Sequence, residues 1–139
     1  MAAEKLFEGK VKRFLQSEGI YPLGTAFTKM DEVPVGYYEK RWGSKFTKAG
    51  LPDLSISVNG HTVEVELKAD NGKPSELQKF MIKQIREAGT FAIILYPKDF
   101  EEFKNFLKDV KNWGCVKSPM YYKKTYKNLY ERGLDGDTV

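Results

Sequence analysis

The sequence has one cysteine and one histidine among its 139 residues, and these shortages exclude several kinds of site. Cys115 has no partner for an internal disulfide, and Cys115 with His61 cannot supply the four ligands of a structural zinc site. Long apolar runs are also missing, since no stretch approaches the roughly 20 residues of a membrane-spanning helix. The N-terminus carries no signal-peptide pattern. We therefore expect one cytoplasmic domain with a sizeable core and no membrane partner.

Charge is nearly balanced, since 23 Lys and Arg against 19 Asp and Glu give a net charge of +4. The positive excess lies near the C-terminus, where residues 117–132 contain five lysines and arginines and one glutamate. Tyr122, Tyr126 and Tyr130 recur every four residues there, which favours a helix with an aromatic stripe. The stripe indicates either core packing or a subunit contact, and the basic residues can follow a phosphate backbone. The candidate DNA contacts of this segment are Lys123, Lys124 and Lys127.

Residues 50–68, GLPDLSISVNGHTVEVELK, predict a β-hairpin. Asn59-Gly60 is a strong signal for a type I′ turn, which needs positive φ at both central residues. A turn there sets the register, so that Leu54 faces Val65 and the numbers of each facing pair sum to 119. Because side chains alternate along a strand, one face is apolar and requires a core. The opposite face carries Asp53, Ser55, Ser57, Thr62, Glu64, Glu66 and Lys68.

The polar face of this hairpin contains an unfavourable pair. The derived register places Asp53 opposite Glu66, although like charges across a ladder are destabilising. A divalent cation would remove the repulsion, because Mg²⁺ takes oxygen ligands from one or two carboxylates. Lys68 lies two residues beyond Glu66, about 6.6 Å along the strand, and can reach the same substrate atom. The alternative is an ordinary solvated polar face with an accidental acidic pair.

Asp53 followed by Glu66-Leu67-Lys68 has the Asp…Glu-x-Lys pattern of the PD-(D/E)XK nuclease superfamily. Its context, GLPDL at 50–54 and GKPSELQ at 72–78, resembles the VRR-NUC branch, in particular the small stand-alone phage-type Holliday-junction resolvases. The resemblance covers about residues 4–110 and depends on the combination of motifs, since Glu-x-Lys alone is unspecific. It implies a restriction-endonuclease-like core and a metal-dependent endodeoxyribonuclease acting on Holliday junctions or other branched DNA.

The resemblance also implies roles for individual residues. Asp53 and Glu66 would bind Mg²⁺, for which Mn²⁺ can substitute, with the Leu67 backbone carbonyl as a further ligand. Lys68 would orient the nucleophile or neutralise developing negative charge. Gln78 would lie beside the active site and orient substrate or water. A glutamine in the first turn of a helix is otherwise an ordinary surface residue.

Glu8 is a further candidate metal ligand, because the first helix of these nucleases often carries a glutamate that reaches the site from across the sheet. The alternative for Glu8 is an ion pair with Lys12, one helical turn away. The glycine-bounded loop at 43–50 precedes Asp53 and either holds a phosphate or is simply solvated. With the turn after the hairpin included, the candidate DNA contacts here are Lys45, Thr47, Lys48 and Lys73.

The remaining patterns predict an α/β fold, a mixed sheet flanked by helices in the order α-β-β-β-α-β-α. Strand-forming aromatics at 35–42 predict an edge strand, and the apolar run at 91–97 predicts a central strand, covered on both faces and parallel to its neighbour. Asp99 is expected to cap the helix that follows. The first helix, at 4–18, is expected to bury Leu6, Phe7, Val11, Phe14 and Leu15. The helix between Pro74 and Gly89 is expected to bury Leu77, Phe80, Met81, Ile82 and Ile85.

These predictions divide the chain into a nuclease core at 1–112, with an insertion near 22–34, and a basic, tyrosine-rich extension at 113–139. Symmetric cutting of two strands favours a homodimer. The alternative function is a non-cleaving DNA-binding or protein-interaction module on the same fold. The insertion and the extension support that alternative, and the intact Asp, Glu and Lys of the motif weaken it.

Overall fold

The computed structural model describes residues 2–42, 48–112 and 119–134 and confirms an α/β fold, in which helices flank a five-stranded mixed sheet. The helices are α1 (Ala2–Ser17), α2 (Glu76–Glu87), α3 (Phe100–Lys111), α4 (Pro119–Thr125) and α5 (Lys127–Glu131). The strands are β1 (Ile20–Pro22), β2 (Gly36–Lys40), β3 (Leu54–Val58), β4 (His61–Leu67) and β5 (Phe91–Leu95). Single 3-10 turns span Phe27–Lys29 and Pro97–Asp99. No helix in these ranges is long and apolar enough to cross a membrane.

The hairpin register predicted from the sequence is confirmed. Asn59 and Gly60 have φ angles of 48° and 80°, as a type I′ turn requires, and Leu54 pairs with Val65. The sheet order is β1-β2-β3-β4-β5, with β1 parallel to β2, β3 antiparallel to both neighbours, and β5 parallel to β4. Leu54 also pairs with Lys40, so β2 ends where β3 begins and β4 ends.

Three predictions about strands are wrong. The strand predicted at the sheet edge from residues 35–42 is β2, which lies inside the sheet because it pairs with both β1 and β3. The sequence pattern does not predict β1, because this strand has only three residues and ends in proline. The parallel pairing of β5 with β4 is confirmed, but β5 lies at an edge of the sheet and not at its centre. Residues 92–95 of β5 are nevertheless all buried. The apolar run therefore indicates that both faces of the strand are covered, whatever the number of neighbouring strands.

Hydrophobic clusters lie on both faces of the sheet. The larger cluster packs α1 and α3 against the apolar hairpin residues Leu54, Ile56, Val58, Val63, Val65 and Leu67. The smaller cluster packs Ile82 of α2 against Ala92 and Ile94 of β5. Ser57 and Thr62 of the hairpin point to this second face and are exposed. The second face is thus covered only in part, which leaves room beside α2 for the polar residues of the hairpin.

The buried stripes of α1 and α2 are narrower than helical spacing predicts. Met81 and Ile82 are buried, but Leu77 and Phe80 are 43% and 53% exposed, and Leu6 of α1 is exposed as well. Leu77 borders the loop before β3, where a Cβ on Gly50 would lie 2.6 Å from Leu77 Cγ. Gly50 also has a φ of 84°, so glycine alone suits this position, where the loop passes closely over α2.

The C-terminal segment packs into the larger cluster together with the strands. Its buried residues there are Tyr122, Tyr126, Leu129 and Tyr130, which assigns the aromatic stripe to core packing. Arg86 of α2 joins the segment to the sheet edge by donating to the carbonyls of Ala92, at 2.8 Å, and Tyr130, at 2.9 Å. The described part of the predicted extension is therefore continuous with the core.

Asp99 does not cap α3 with its side chain, so that prediction is wrong. Its buried carboxylate accepts two hydrogen bonds of 2.8 Å from Nε and Nη2 of Arg132. Bidentate pairing with a charged guanidinium is a stronger use of the carboxylate than a cap. The sequence could not predict this pair, because the two residues are 33 positions apart.

The expected insertion lies between β1 and β2 and contains the 3-10 turn Phe27–Lys29. The hydroxyl of Tyr21 accepts the backbone N–H of Asp31 at 3.1 Å and so fixes the returning chain. Leu23, Phe27 and Val33 are exposed on this segment. It forms no part of either hydrophobic cluster.

Candidate active site

The candidate site lies at the end of the sheet where β2 and β4 finish and β3 begins. Register alone brings Asp53, immediately before β3, close to Glu66 near the end of β4. Lys68 follows β4, and its N–H donates to the carbonyl of Leu95 at 3.0 Å, which extends the pairing with β5. The first turn of α2 completes the site with Gln78. The residues predicted from the motif, Asp53, Glu66, Lys68 and Gln78, are therefore brought together.

Glu66 is the most unusual residue of this group, because its carboxyl is buried and only one oxygen is engaged. The residue is 3% exposed. Gln78 Nε2 donates to Oε2 at 3.0 Å, and Lys68 Nζ lies 3.5 Å from the same oxygen. Oε1 is buried without a hydrogen-bond partner among the described residues. Buried polar atoms normally have partners, so an unpaired carboxyl oxygen requires an explanation.

Burial and the neighbouring charge of Asp53 raise the pKa of Glu66 to about 8. The ammonium of Lys68 acts in the opposite direction, but at 3.5 Å it does not outweigh the loss of hydration. Without a cation in the site, Glu66 is therefore largely protonated at neutral pH. A strongly shifted carboxyl with a named charge partner is typical of a functional site, although structural networks also produce such shifts.

Asp53 is held in place by the backbone of the strand that carries Glu66. Its Oδ2 accepts the N–H of Leu67 at 2.8 Å, just beyond the last residue pair of β3 with β4. Its own carbonyl accepts the N–H of Arg41 at 2.7 Å. Asp53 therefore caps the hairpin ladder, and this structural task also fixes its carboxylate beside Glu66.

Gln78 has two tasks. Ser75 is the N-cap of α2, and the Ser75 hydroxyl accepts the Gln78 N–H at 3.0 Å, while Gln78 Oε1 accepts the Ser75 N–H at 2.9 Å. This reciprocal capping box fixes the rotamer of Gln78 and directs its Nε2 toward Glu66. Gln78 thus lies in direct contact with Glu66.

Glu64, Arg41 and Ser55 form a neighbouring polar cluster that the sequence does not identify. Glu64 is buried, and each of its oxygens has a partner: Arg41 Nη1 donates to Oε1, and the Ser55 hydroxyl donates to Oε2. Arg41 Nη1 also donates to the Pro52 carbonyl at 2.9 Å. The hairpin register does place Ser55 opposite Glu64, but Arg41 follows β2, whose pairing no local pattern specifies.

Glu8 lies on the other face of the sheet, where α1 packs. Its carboxylate contacts Lys12 Nζ at 2.8 Å and Lys40 Nζ at 2.6 Å, and Lys40 pairs with Leu54 on the apolar face. Burial acts to raise the pKa of Glu8, but hydrogen bonds from both lysines lower it overall. The ion pair with Lys12, which the spacing allowed as an alternative, is thus present. Within the described ranges, no three Asp, Glu, His or Cys side chains are grouped to hold a metal, so Glu8 does not complete a triad with Asp53 and Glu66.

The candidate DNA contacts are partly described. Lys48 and Lys73 are exposed, and they lie before Asp53 and after Lys68 in the sequence. Lys123 and Lys124 of α4 and Lys127 of α5 are also exposed, on helices whose tyrosines are buried. Lys45 and Thr47 lie outside the described residues.

Two observations indicate that the oxygen atoms of Asp53, Glu66 and Leu67 suit a divalent cation. Asp53 and Glu66 supply hard oxygen ligands of the kind that Mg²⁺ and Mn²⁺ take, and a backbone carbonyl such as that of Leu67 is a suitable further ligand. The unpartnered Oε1 of Glu66 and the raised pKa of this carboxyl are both features that a bound cation would remove. The residues therefore suit a site with few protein ligands.

Two comparisons by sequence supply no relative from which a function could be transferred. A scan against protein-family models and a search of curated proteins each found no match to this chain. A function for this chain must therefore be inferred from the geometry and chemistry of the site itself.

Proposed function

We propose that this protein is a metal-dependent endodeoxyribonuclease that hydrolyses phosphodiester bonds in branched DNA. The observation that carries the proposal is the state of Glu66, a buried carboxyl with an unpartnered oxygen beside Asp53 and Lys68. Burying a carboxyl without full compensation costs stability, so a feature of this kind is expected at functional sites. The combination with Lys68 and Gln78 supports phosphoryl chemistry more than simple cation storage.

Each residue has a separate task in this proposal. Asp53 and Glu66, with the Leu67 carbonyl, would hold Mg²⁺ or Mn²⁺, which supplies Lewis-acid stabilisation of charge and promotes the deprotonation of water. Lys68 donates to the scissile phosphate and neutralises charge that develops on it. Gln78 keeps the Glu66 carboxylate in one orientation through its 3.0 Å hydrogen bond. Asp53 is oriented in the same way by the Leu67 N–H.

Substrate contacts in this proposal come from exposed lysines on both sides of the site. Lys48 and Lys73 flank the motif in sequence and would meet phosphates near the scissile bond, as would Lys45 and Thr47. The exposed lysines of α4 and α5 would contact a more distant part of the backbone. A homodimer is the assembly expected if two strands are cut symmetrically.

The decisive experiment combines cleavage with metal linkage. Wild-type protein is incubated with Mg²⁺, Mn²⁺ or a chelator and with branched, single-stranded and linear duplex DNA of the same sequence. We expect metal-dependent cutting, fastest on the branched substrate. If none of the three substrates is cut with either metal, the enzyme assignment fails.

Thermal unfolding then tests the cation directly. Mg²⁺ should raise the melting temperature, by an amount equal to about 2.7 kcal/mol when its concentration is 100 times the Kd. The variant Asp53→Asn keeps an acceptor for the Leu67 N–H but removes the negative charge. It should weaken the response to metal and raise the stability of the metal-free protein. Coincident scans of the wild type with and without metal would exclude the site.

The structural role of Asp53 favours one alternative, a non-cleaving DNA-binding or protein-interaction module on the same fold. The carboxylate of Asp53 accepts the Leu67 N–H at the end of the hairpin, and this hydrogen bond requires no cation. Under this alternative, DNA binding persists without cleavage, and the melting temperature does not respond to metal. The two experiments above therefore separate the proposals without a further assay.

A further inference from the structure

A cavity of about 300 Å³ lies between α2, the end of β5 and the C-terminal segment. Its lining residues are Lys73, Pro74, Lys79, Tyr96, Gly133 and Leu134. Gly133 passes so close to the sheet that a Cβ there would lie 2.9 Å from Ile94 Cγ2. The volume lies at the lower end of the range of about 300–1,000 Å³ in which small ligands bind. The C-terminal segment therefore closes one side of a space large enough for a small ligand.

The cavity adjoins the candidate active site on the face of the sheet that carries Glu66. Glu66 pairs with Ile94 in the parallel ladder. Two residues further along each chain, alternation places Lys68 and Tyr96 on this same face. The Tyr96 hydroxyl donates to the Gly72 carbonyl at 2.8 Å, and a Cβ on Gly72 would lie 3.4 Å from Lys68 Cδ. Gly72 thus lies between the side chain of Lys68 and a residue that lines the cavity.

The side chains around the cavity carry an excess of positive charge. Lys73 and Lys79 line it, and no Asp or Glu of the described ranges does so. The Lys79 side chain is 13% exposed and contacts Glu76 at 2.8 Å, but the Glu76 side chain is 88% exposed. An ion pair with so exposed a carboxylate contributes little, so a ligand with more negative charge can replace it. Lys98 adds a third ammonium, 5.5 Å from the centroid of the Tyr96 ring. The cavity therefore suits an anion.

We infer that this cavity is a second phosphate-binding subsite, which holds a phosphate group of the DNA substrate on the β5 side of the candidate active site. The inference rests on the proposed nuclease function for the nature of the substrate, but phosphate binding can be measured without cleavage. Lys73 and Lys79 donate to the phosphate oxygens, and Pro74 and Leu134 form an apolar wall against the attached sugar. The subsite determines how the strand crosses Lys68, because phosphate contacts fix register and orientation.

Amide NMR spectra test the binding in chelator, without metal or cleavage. Inorganic phosphate, thymidine monophosphate or a thymidine oligonucleotide is added to the wild type at constant ionic strength. We expect saturable shifts of the amides of Lys73, Lys79 and Gly133, with a lower Kd for the oligonucleotide than for either free anion. Binding of the oligonucleotide without shifts at these residues overturns the inference. Tighter binding of a free anion also overturns it, because the cavity then serves a small phosphate ligand and not a DNA strand.

Charge substitutions on α2 supply the matched controls. Lys79→Gln should weaken binding of the oligonucleotide about tenfold, the loss expected for one hydrogen bond to a charged group, and lower the slope of log affinity against log salt by about 0.7. Glu76→Gln should strengthen binding more than Glu87→Gln at the far end of the helix, because Glu76 competes for Lys79. Lys83→Gln is the control, since Lys83 lies on the same helix but does not line the cavity. Equal effects of Lys79→Gln and Lys83→Gln, or of the two glutamate variants, overturn the inference.

Cleavage kinetics separate this inference from the proposed function. Lys79→Gln should raise about tenfold the protein concentration that gives half the maximal single-turnover rate, and leave the maximal rate nearly unchanged, because it removes ground-state binding. If no substrate is cut but the amide shifts are found, the nuclease proposal fails and the phosphate subsite stands. If DNA is cut and Lys79→Gln matches the wild type in binding and cleavage, the subsite is overturned and the nuclease proposal stands.

Discussion

Glu64 and Glu66 are two glutamates of one strand that point to the same face and are both buried, yet their surroundings differ. Each oxygen of Glu64 has its own partner, in Arg41 and Ser55. Glu66 has Gln78 and Lys68 at Oε2 and no partner among the described residues at Oε1. Burial and the Asp53 carboxyl, through its charge and a side-chain hydrogen bond, raise the pKa of Glu66. The protein itself satisfies the charge and both oxygens of Glu64, but it does not satisfy those of Glu66.

This difference shows which feature of a buried carboxyl indicates function. Burial alone does not, because Glu64 is buried as part of a complete ion-pair network. A buried carboxyl whose charge and hydrogen-bonding capacity are only partly satisfied is more informative, because it lowers stability and a bound substrate or cation can restore that stability. The comparison can be tested with variants of each glutamate and of the residues that contact it.

The largest expected difference is in cleavage rate. Lys68→Ala removes a donor near the scissile phosphate but leaves both carboxylates in place, so it should slow single-turnover cleavage about 10²–10³-fold. DNA affinity should change far less, because one phosphate contact is a small part of a backbone-dominated interface. Glu66→Ala should abolish cleavage, while Glu64→Gln, assayed below its melting temperature, should change the rate by less than about tenfold, or 1.4 kcal/mol.

Two results would contradict this assignment. If Lys68→Ala cleaves at the wild-type rate, Lys68 does not act on the phosphate. If Glu64→Gln loses as much activity as Glu66→Ala while still folded, judged by circular dichroism, the distinction between the two glutamates is wrong. Single-turnover measurements on one branched substrate decide both points.

The Glu66 group could be predicted from the sequence because it depends on local geometry. The Asn59-Gly60 turn determines the hairpin register, which brings Asp53 next to Glu66, and the capping box determines where Gln78 points. Turn chemistry is sufficient for the Asp53–Glu66 pair, because the two strands are adjacent in sequence, whereas Gln78 was expected beside the site only from the family resemblance.

The Glu64 group could not be predicted, because it depends on contacts between distant segments. Arg41 lies 23 residues before Glu64, beyond a strand whose place in the sheet no local pattern gives. The edge position of β5 and the Asp99–Arg132 pair were missed for the same reason. Apolar runs predict burial, but they do not predict which elements supply it.

The second prediction concerns pH. The pKa of Glu66 is about 8 in the folded protein against 4.5 for a free carboxyl, so between these values the folded state holds a proton that the unfolded state has lost. The contribution of this proton to the stability of the metal-free protein should therefore be complete below pH 4.5 and be lost as the pH rises to about 8, by at most about 1.4 kcal/mol per pH unit. Urea unfolding in chelator from pH 5 to 9 measures the slope. Glu66→Gln should flatten it and Glu64→Gln should not, whereas equal slopes in wild type and Glu66→Gln would show that Glu66 titrates normally.

The third prediction compares stability at one pH. Glu64→Gln removes the charge that compensates Arg41, whose guanidinium is partly exposed and keeps the Pro52 carbonyl. The loss should be about 1–3 kcal/mol, below the value for a fully buried pair. Glu66→Gln, measured at pH 8 in chelator, should be neutral or stabilising, because it removes an uncompensated carboxyl. Destabilisation of the two variants by the same amount would remove the basis of the comparison.

The smallest effect comes from the hydroxyl that distinguishes the two glutamates. Ser55→Ala deletes the donor to Glu64 Oε2 and leaves that oxygen in the same condition as Oε1 of Glu66. Because the hydrogen bond is to a charged group, the loss should be about 1–2 kcal/mol in the free energy of unfolding. Ser57→Ala is the matched control, since Ser57 lies on the same strand and face but is exposed, and it should change stability by less than about 0.5 kcal/mol. If Ser55→Ala is as neutral as Ser57→Ala, then leaving one oxygen of a buried carboxylate without its donor has no measurable cost. An unpaired oxygen would then carry no special meaning at Glu66 either, and the case for its function would rest on Asp53 and Lys68 alone.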